Sequence, residues 1–331
     1  MSRILRSNRH SGLQRLLAYS GLLAAIALIL GVTFAQAQDK PNVVRIGYQK
    51  SSTLITVLKT KGELEAELAK LGVKVTWNEF ASGVPLLEAL NIGAIDLSAD
   101  VADTVPIFAQ AAGAKLTFVA QEAPSPTAQA IVVPADSPIK TVADLKGKKV
   151  GFTKGAGVHY LLIASLERAG LKFKDIEPAY LSPADGRAAF ERKNVDAWVV
   201  WDPFLSAVQR QAGARILSDG APVAQYQRYY LASNTFAAAR SDVIAVVFAQ
   251  LKKAGEWVKA NPADAAKLLS PVWGLDAATI EQANARRSYL VRAATAESIT
   301  EQQKIADAFL GEGVLPKKVD ATHVTLWQPG S

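Results

Sequence analysis

Side chains able to do covalent or metal chemistry are scarce in this chain. It has no cysteine, and histidine occurs only at positions 10, 159 and 323. A thiol nucleophile, a thiolate zinc site and an iron–sulfur cluster are excluded, no His-rich metal centre is possible, and a Ser–His–acid triad would have to use His159 or His323. The sequence offers binding chemistry at loops instead. Gly155-Ala-Gly157 lets backbone approach a ligand closely, with Lys154 a cation beside it and His159 just beyond. The loop has neither Walker spacing nor a dinucleotide fingerprint, so no nucleotide is expected. A tight strand-to-helix turn without a ligand is the alternative. His159 reads as a capping or solvent-facing imidazole rather than a catalytic base, because no partner carboxylate or serine is indicated.

Three other loops have the same form: residues 49–53, 98–103 and 198–203. Each leaves an apolar run and opens a helix whose first N–H groups lack partners and carry partial positive charge. Facing loops of this kind would cradle a compact anion. Alternation along a strand sends Trp198 and Val200 to one face and Val199 and Trp201 to the other. Trp201, nearest the strand's carboxyl end, is expected at the ligand, and Trp198 in the core. Asp202-Pro203 suits an N-cap followed by the first helical turn. Arg187 could reach a ligand bidentately or serve as a solvated ion pair on its helix.

The elements that must position these loops alternate between strand and helix. Periodicity predicts strands at 43–48, 74–80, 94–98 and 115–120, with helices at 53–71, 84–91 and 101–112. This is βαβ order, implying a largely parallel sheet covered on both faces. Phe108-Ala-Gln-Ala-Ala-Gly-Ala-Lys-Leu116 is echoed by Val208-Gln-Arg-Gln-Ala-Gly-Ala-Arg-Ile216, Gly47-Tyr-Gln-Lys50 by Gly151-Phe-Thr-Lys154, and Gly93-Ala-Ile-Asp96 by Asn194-Val-Asp196. Two similar α/β lobes therefore follow one another. Strands at 129–134 and 229–236 are the candidate crossovers. Helices at 241–260, 262–269, 277–289 and about 298–310 have no sheet of their own and are assigned to the first lobe. The expected bounds are 38–129 with 236–331 for lobe I and 130–235 for lobe II, with hinges near 130 and 232 and a cleft between. A two-strand hinge lets the lobes rotate, and the unliganded form is expected to be open.

Four arginines and no acid fall within the first fifteen residues. An apolar run at 16–34 and Ala35-Gln36-Ala37 follow, the pattern of a signal peptide at 1–37 cut near Ala37-Gln38. An uncleaved anchor is the alternative. The formal charge of +7 loses those four arginines on cleavage, and the remaining excess is too small and too evenly spread for a nucleic-acid surface. Export without disulfides suits a Gram-negative periplasm.

Arg45-Ile-Gly-Tyr-Gln-Lys50, Leu87-Glu-Ala-Leu-Asn91, Pro106-Ile-Phe-Ala-Gln-Ala-Ala-Gly113, Ser137-Pro-Ile-Lys-Thr-Val-Ala-Asp-Leu-Lys-Gly147, Val195-Asp-Ala-Trp-Val-Val-Trp-Asp-Pro203 and Val314-Leu-Pro-Lys-Lys-Val-Asp320 resemble the periplasmic aliphatic sulfonate-binding proteins of ABC importers and their taurine-binding relatives. The resemblance implies the α/β two-lobed type II periplasmic binding protein fold, with two hinge strands and the ligand in the interlobe cleft. It also implies capture of an organosulfonate by a monomer and delivery to a membrane permease with its ATPase. No catalytic residue, cofactor or metal is then expected, and nitrate- and pyrimidine-precursor-binding relatives share the fold. A periplasmic enzyme using His159 is the alternative from another class.

The ligand-binding set taken forward is Gln49, Ser51, Ser52, Thr53, Asp100, Asp103, Lys154, Gly155, Gly157, His159, Tyr160, Arg187, Trp201, Asp202 and Tyr230. Within it, Trp201 or Tyr160, with Tyr230 as a further candidate, would wall the apolar tail. Asp100 stands where the family suggests a small or hydroxyl residue. A carboxylate there costs anion affinity unless Lys50 or Lys154 neutralises it, or the ligand carries an amine, as taurine does.

Overall fold

The computed structural model describes residues 41–330; the leader expected at 1–37 and its expected cut near Ala37-Gln38 lie outside them. In chain order the first half runs β1 (Val43–Gln49), α1 (Thr53–Lys61), α2 (Glu63–Ala69), β2 (Lys74–Phe80), α3 (Gly83–Asn91), β3 (Leu97–Ala102), α4 (Thr104–Ala111) and β4 (Leu116–Glu122). The second half runs β5 (Gln129–Val133), β6 (Lys149–Phe152), α5 (Gly157–Arg168), β7 (Glu177–Tyr180), α6 (Pro183–Glu191), β8 (Ala197–Trp201), α7 (Phe204–Ala212) and β9 (Arg215–Asp219). The chain returns through β10 (Arg228–Ser233) and α8 (Asn234–Ala239). It ends with α9 (Ser241–Ala260), α10 (Pro262–Trp273), α11 (Ala277–Arg286), β11 (Val291–Ala293), α12 (Ala296–Gly311) and β12 (Thr325–Leu326).

Two sheets form two lobes. The first has the order β11-β4-β10-β3-β1-β2, with β12 also on β4, and the second has β7-β6-β8-β5-β9. Without β11 and β12, the orders β4-β10-β3-β1-β2 and β9-β5-β8-β6-β7 correspond strand for strand. The crossing strands occupy equivalent places: β10 is antiparallel to β3 and β4, and β5 to β8 and β9. Each passage between halves is thus a full member of the sheet it enters. The sequence repeat has a matching structural basis. Arg45 N–H donates to Asp96 Oδ2 at 2.8 Å while Asp96 N–H donates to the Arg45 carbonyl. Lys149 and Asp196 make the same pair of bonds in the second lobe.

Several boundaries differ from expectation for local reasons. The helix read as 53–71 is two helices, because Gly62 takes φ 68° between them, a left-handed conformation glycine adopts without a Cβ clash. Strand β3 continues to Ala102 rather than stopping at Ser98, because Asp100 inside it is neutralised by buried arginines. Helix α10 runs on to Trp273 and α11 stops at Arg286. The segment read as a strand at 229–236 turns helical at Asn234, where Ser233 caps α8 by accepting from Phe236 N–H.

The C-terminal helices do more than cover the first sheet. Val243, Ile244, Val247 and Leu251 of α9 recur at helical spacing and bury against Leu54, Ile55 and Leu58 of α1. Helix α11 packs on α7 of the second lobe, and α12 lies against both α4 and α5. One core cluster runs through both lobes, from Leu86, Val105 and Phe118 to Ile131, Val158 and Trp201. No described helix is long and apolar enough to cross a membrane.

Candidate functional site

A narrow pocket is lined by Thr53, Asp202, Pro203, Trp273, Ala283, Asn284, Arg287 and Tyr289. Three parts of the fold converge on it: the start of α1, the β8–α7 loop, and the α10–α11 hairpin with the residues after it. The second-lobe wall is held by Asp202, whose Oδ1 accepts from Ser206 N–H (2.9 Å) and Ser206 Oγ (2.6 Å). The Tyr289 hydroxyl bridges Thr53 Oγ1 (2.8 Å) and Asn284 Oδ1 (2.7 Å). With its carbonyl oxygen so engaged, Asn284 has its amide donors left over.

Behind the pocket lies a buried charge cluster. Asp100 Oδ2 accepts from Arg228 Nε at 2.5 Å and Arg287 Nη2 at 3.1 Å, and Arg287 Nη2 also reaches Glu122 Oε2 at 2.6 Å. Arg228 Nη1 donates to Tyr226 Oη and the Tyr230 hydroxyl to Glu122 Oε1, both at 2.7 Å. Two carboxylates and two guanidiniums balance, as burial of charge requires. Arg287 belongs to both cluster and pocket, with its guanidinium over the Tyr289 ring at 5.0 Å. Burial disfavours its charge, but Glu122, Tyr289 and Asp100 outweigh that and hold its pKa well above the usual value.

The buried polar atoms of the lining that lack a hydrogen-bond partner are all donors: Trp273 Nε1, Asn284 Nδ2 and Arg287 Nε. Ser51 Oγ and Trp201 Nε1, on the adjoining loops, are also buried and unpartnered. A buried donor without an acceptor costs about 1–3 kcal/mol. A group of them suits a ligand rich in acceptor oxygens. Tyr226 and Tyr289 hold φ of 52° and 50°, a strained conformation for bulky residues of the kind that clusters at ligand sites.

The candidates read from sequence divide. Thr53 and Asp202 line the pocket, with Ser51 and Trp201 on the same loops. Ser52 and Gln49 are structural: Ser52 Oγ accepts from Gln49 N–H, and Gln49 Nε2 donates to the Asp100 carbonyl at 3.1 Å, tying β1 to β3. Asp100 is neutralised by Arg228 and Arg287, not by Lys50 or Lys154. Asp103 caps α4, accepting from Thr104 N–H and Gln227 N–H at 3.0 Å each. Burial pushes its carboxyl up to about 7, against the lowering effect of those bonds.

The glycine turn does not line this pocket. A Cβ on Gly157 would lie 2.8 Å from the Tyr226 ring and 3.0 Å from Ala102, and one on Gly155 would lie 3.1 Å from Val84. The turn is thus packed against the other lobe, and Thr104 Oγ1 donates to the Gly155 carbonyl at 2.8 Å. His159 is fully buried among Phe152, Phe173, Tyr180 and Phe309. Its Nδ1 accepts from Gly155 N–H at 3.2 Å, and burial, with Lys154 nearby, lowers its pKa to about 3. It is a neutral cap on the turn. Lys154 sits over the Tyr180 ring at 5.3 Å, and Tyr160 packs edge-on to Phe309. Arg187 pairs with Glu191 (2.8 Å) and Gln211 (2.7 Å) on the outer face of α6. Tyr230 is fully buried in the first-lobe core rather than walling a cleft.

Sequence reasoning missed Trp273, Ala283, Asn284, Arg287 and Tyr289. The available signal was Ala283-Asn-Ala-Arg-Arg-Ser-Tyr289, two arginines beside an amide and an aromatic at a helix end. Among the described residues, no group of three or more His, Asp or Glu could hold a metal ion.

The model of the NMT1/THI5-like family matches residues 68–265. An aliphatic sulfonates-binding protein of Escherichia coli (strain K12) is 43% identical over 309 residues, covering 93% of this chain and 96% of that protein. The crystal structure of the periplasmic aliphatic sulphonate binding protein SsuA from Escherichia coli superposes with a TM-score of 0.79 at 44% identity, over 87% of this chain and 98% of that one. The alkanesulfonate-binding protein SsuA of Xanthomonas axonopodis pv. citri, bound to MOPS, gives 0.80 at 41% identity, over 85% and 96%. With the two-lobed fold and this extent of identity, the chain belongs to the NMT1/THI5-like family, among its aliphatic sulfonate-binding proteins.

Proposed function

We propose that this chain binds aliphatic sulfonates in the periplasm and delivers them unaltered to an inner-membrane permease driven by its ATPase. The observation that carries this reading is the set of buried, unpartnered donors at Trp273, Asn284 and Arg287. A sulfonate is an anion at any periplasmic pH and brings three acceptor oxygens, so it satisfies such donors without a metal. The apolar faces of Trp273, Ala283 and Pro203 suit a short alkyl tail. A leader cut near Ala37 would export the protein, and lobes bounded at 38–129 with 236–331 and at 130–235 would enclose the ligand.

A taurine-like ligand was one way to offset Asp100. Arg228 and Arg287 remove that need, so plain alkanesulfonates are the favoured ligands. Calorimetric titration with ethanesulfonate, taurine, nitrate and sulfate tests the reading. Saturable heat with ethanesulfonate is expected, and heat with nitrate alone would end the sulfonate assignment.

A further inference from the structure

Adjacent arginines at the end of α11 grip different lobes. Arg287 reaches Asp100 and Glu122 of the first lobe, while Arg286 reaches the start of α7 in the second. Its Nη1 lies 3.2 Å from Asp202 Oδ2, 3.4 Å from Asp202 Oδ1 and 3.1 Å from Ser206 Oγ, and its Nη2 donates to Gln209 Oε1 at 2.6 Å. Gln282 Nε2 adds a bond to the same Gln209 oxygen at 3.1 Å. The Asp202 side chain is 2% exposed, and Asp202 is the one carboxylate that lines the pocket. Its Oδ1 already takes two bonds from Ser206. Arg286 therefore supplies the positive charge facing this carboxylate and occupies its remaining oxygen.

The geometry points to Arg286 as the residue that sets ligand class: by holding Asp202 it makes the pocket select plain alkanesulfonates over aminosulfonates. This rests on the sulfonate reading. Asp202 and Pro203 share the pocket lining with Asn284 and Arg287, so a sulfonate gripped at that pair brings whatever its tail carries to Asp202 and Pro203. An alkyl tail meets a neutralised carboxylate there. An ammonium would have to share Asp202 with a guanidinium a few ångströms away, and like charges at that range repel strongly when solvent is excluded. Without Arg286, Asp202 becomes a buried carboxylate whose best partner is the ligand's own ammonium. Specificity then comes from a residue outside the pocket lining, acting through one inside it.

The test is the ratio of taurine to ethanesulfonate dissociation constants, measured by calorimetry on the protein and its variants. For the wild type the ratio is expected to exceed ten. Arg286→Gln and Arg286→Met remove the charge with different packing, so one remains informative if the other fails to fold. Either should lower the ratio at least tenfold. Arg286→Lys, which keeps the charge, should stay within threefold of wild type, and adding Asp202→Asn to Arg286→Gln should cancel the shift. A purely structural latch would weaken both ligands by the same factor and leave the ratio unchanged, which overturns the inference, as would a shift that survives Asp202→Asn. A wild type that binds neither ligand would instead overturn the sulfonate reading itself.

Discussion

At the scale of single residues, this protein separates groups that can titrate from groups that can bind. His159 was the best candidate for acid–base chemistry, yet its imidazole is neutral at any pH above about 3 because aromatic rings enclose it. Asp103 is a buried carboxyl placed to respond near neutrality. Its carboxyl lies at about 7 when folded and near 3.8 when unfolded, so between these values the folded state holds a proton that the unfolded state has released. Its contribution to stability is therefore lost as pH rises from 4 to 7. Urea unfolding of wild type and Asp103→Asn across that range should show the wild type losing ground relative to the variant as pH rises; parallel curves would place the group elsewhere. Asn284 gives a direct test of binding. Asn284→Asp replaces a donor by an acceptor with little change in shape and should weaken ethanesulfonate at least ~100-fold, equivalent to about 3 kcal/mol. A change under about threefold would remove Asn284 from the site. Thr53 and Asp202 were legible in the sequence because they stand at strand-to-helix loops. Arg287 was not, because its meaning depends on Asp100 and Glu122, more than 160 residues away.

At the scale of elements, the strands and helices of both lobes were readable from periodicity and the repeat. The functional use of α10 and α11 was not, because an amphipathic helix reports that it packs and not what its end residues face. The repeat drew the sequence reading toward strand-to-helix loops facing each other from the two lobes, and one of them, the Gly155–Gly157 turn, is consumed in packing against Tyr226 and Ala102. The helices that complete the pocket depend on Gly255 in α9, where a Cβ would stand 2.2 Å from the Tyr289 carbonyl. Lys259 of the same helix donates to the Arg287 carbonyl at 2.9 Å. Gly255→Ala should push the 287–289 segment outward, lowering stability by about 1–3 kcal/mol and weakening ethanesulfonate. Full retention of both, by urea denaturation and calorimetry, would show that the segment adjusts without consequence.

At the scale of the whole molecule, strand exchange explains how two lobes can share one core cluster and still be joined by connections that survive rotation. Contacts between lobes include Thr104 Oγ1 on the Gly155 carbonyl and Arg286 on Asp202. Because the proposed headgroup donors and the rest of the pocket lining come from different parts of the fold, ligand binding should draw these parts together. Small-angle scattering is expected to show a smaller radius of gyration with saturating ethanesulfonate, and an unchanged radius would mean that the site is preformed. The most direct measurement is a crystal structure of the ethanesulfonate complex. The expected placement has sulfonate oxygens within hydrogen-bond distance of Asn284 Nδ2 and Arg287 Nε, with the ethyl group toward Pro203. A sulfonate seated at the Gly155–Gly157 turn, or anywhere that leaves those two donors unmet, would contradict it.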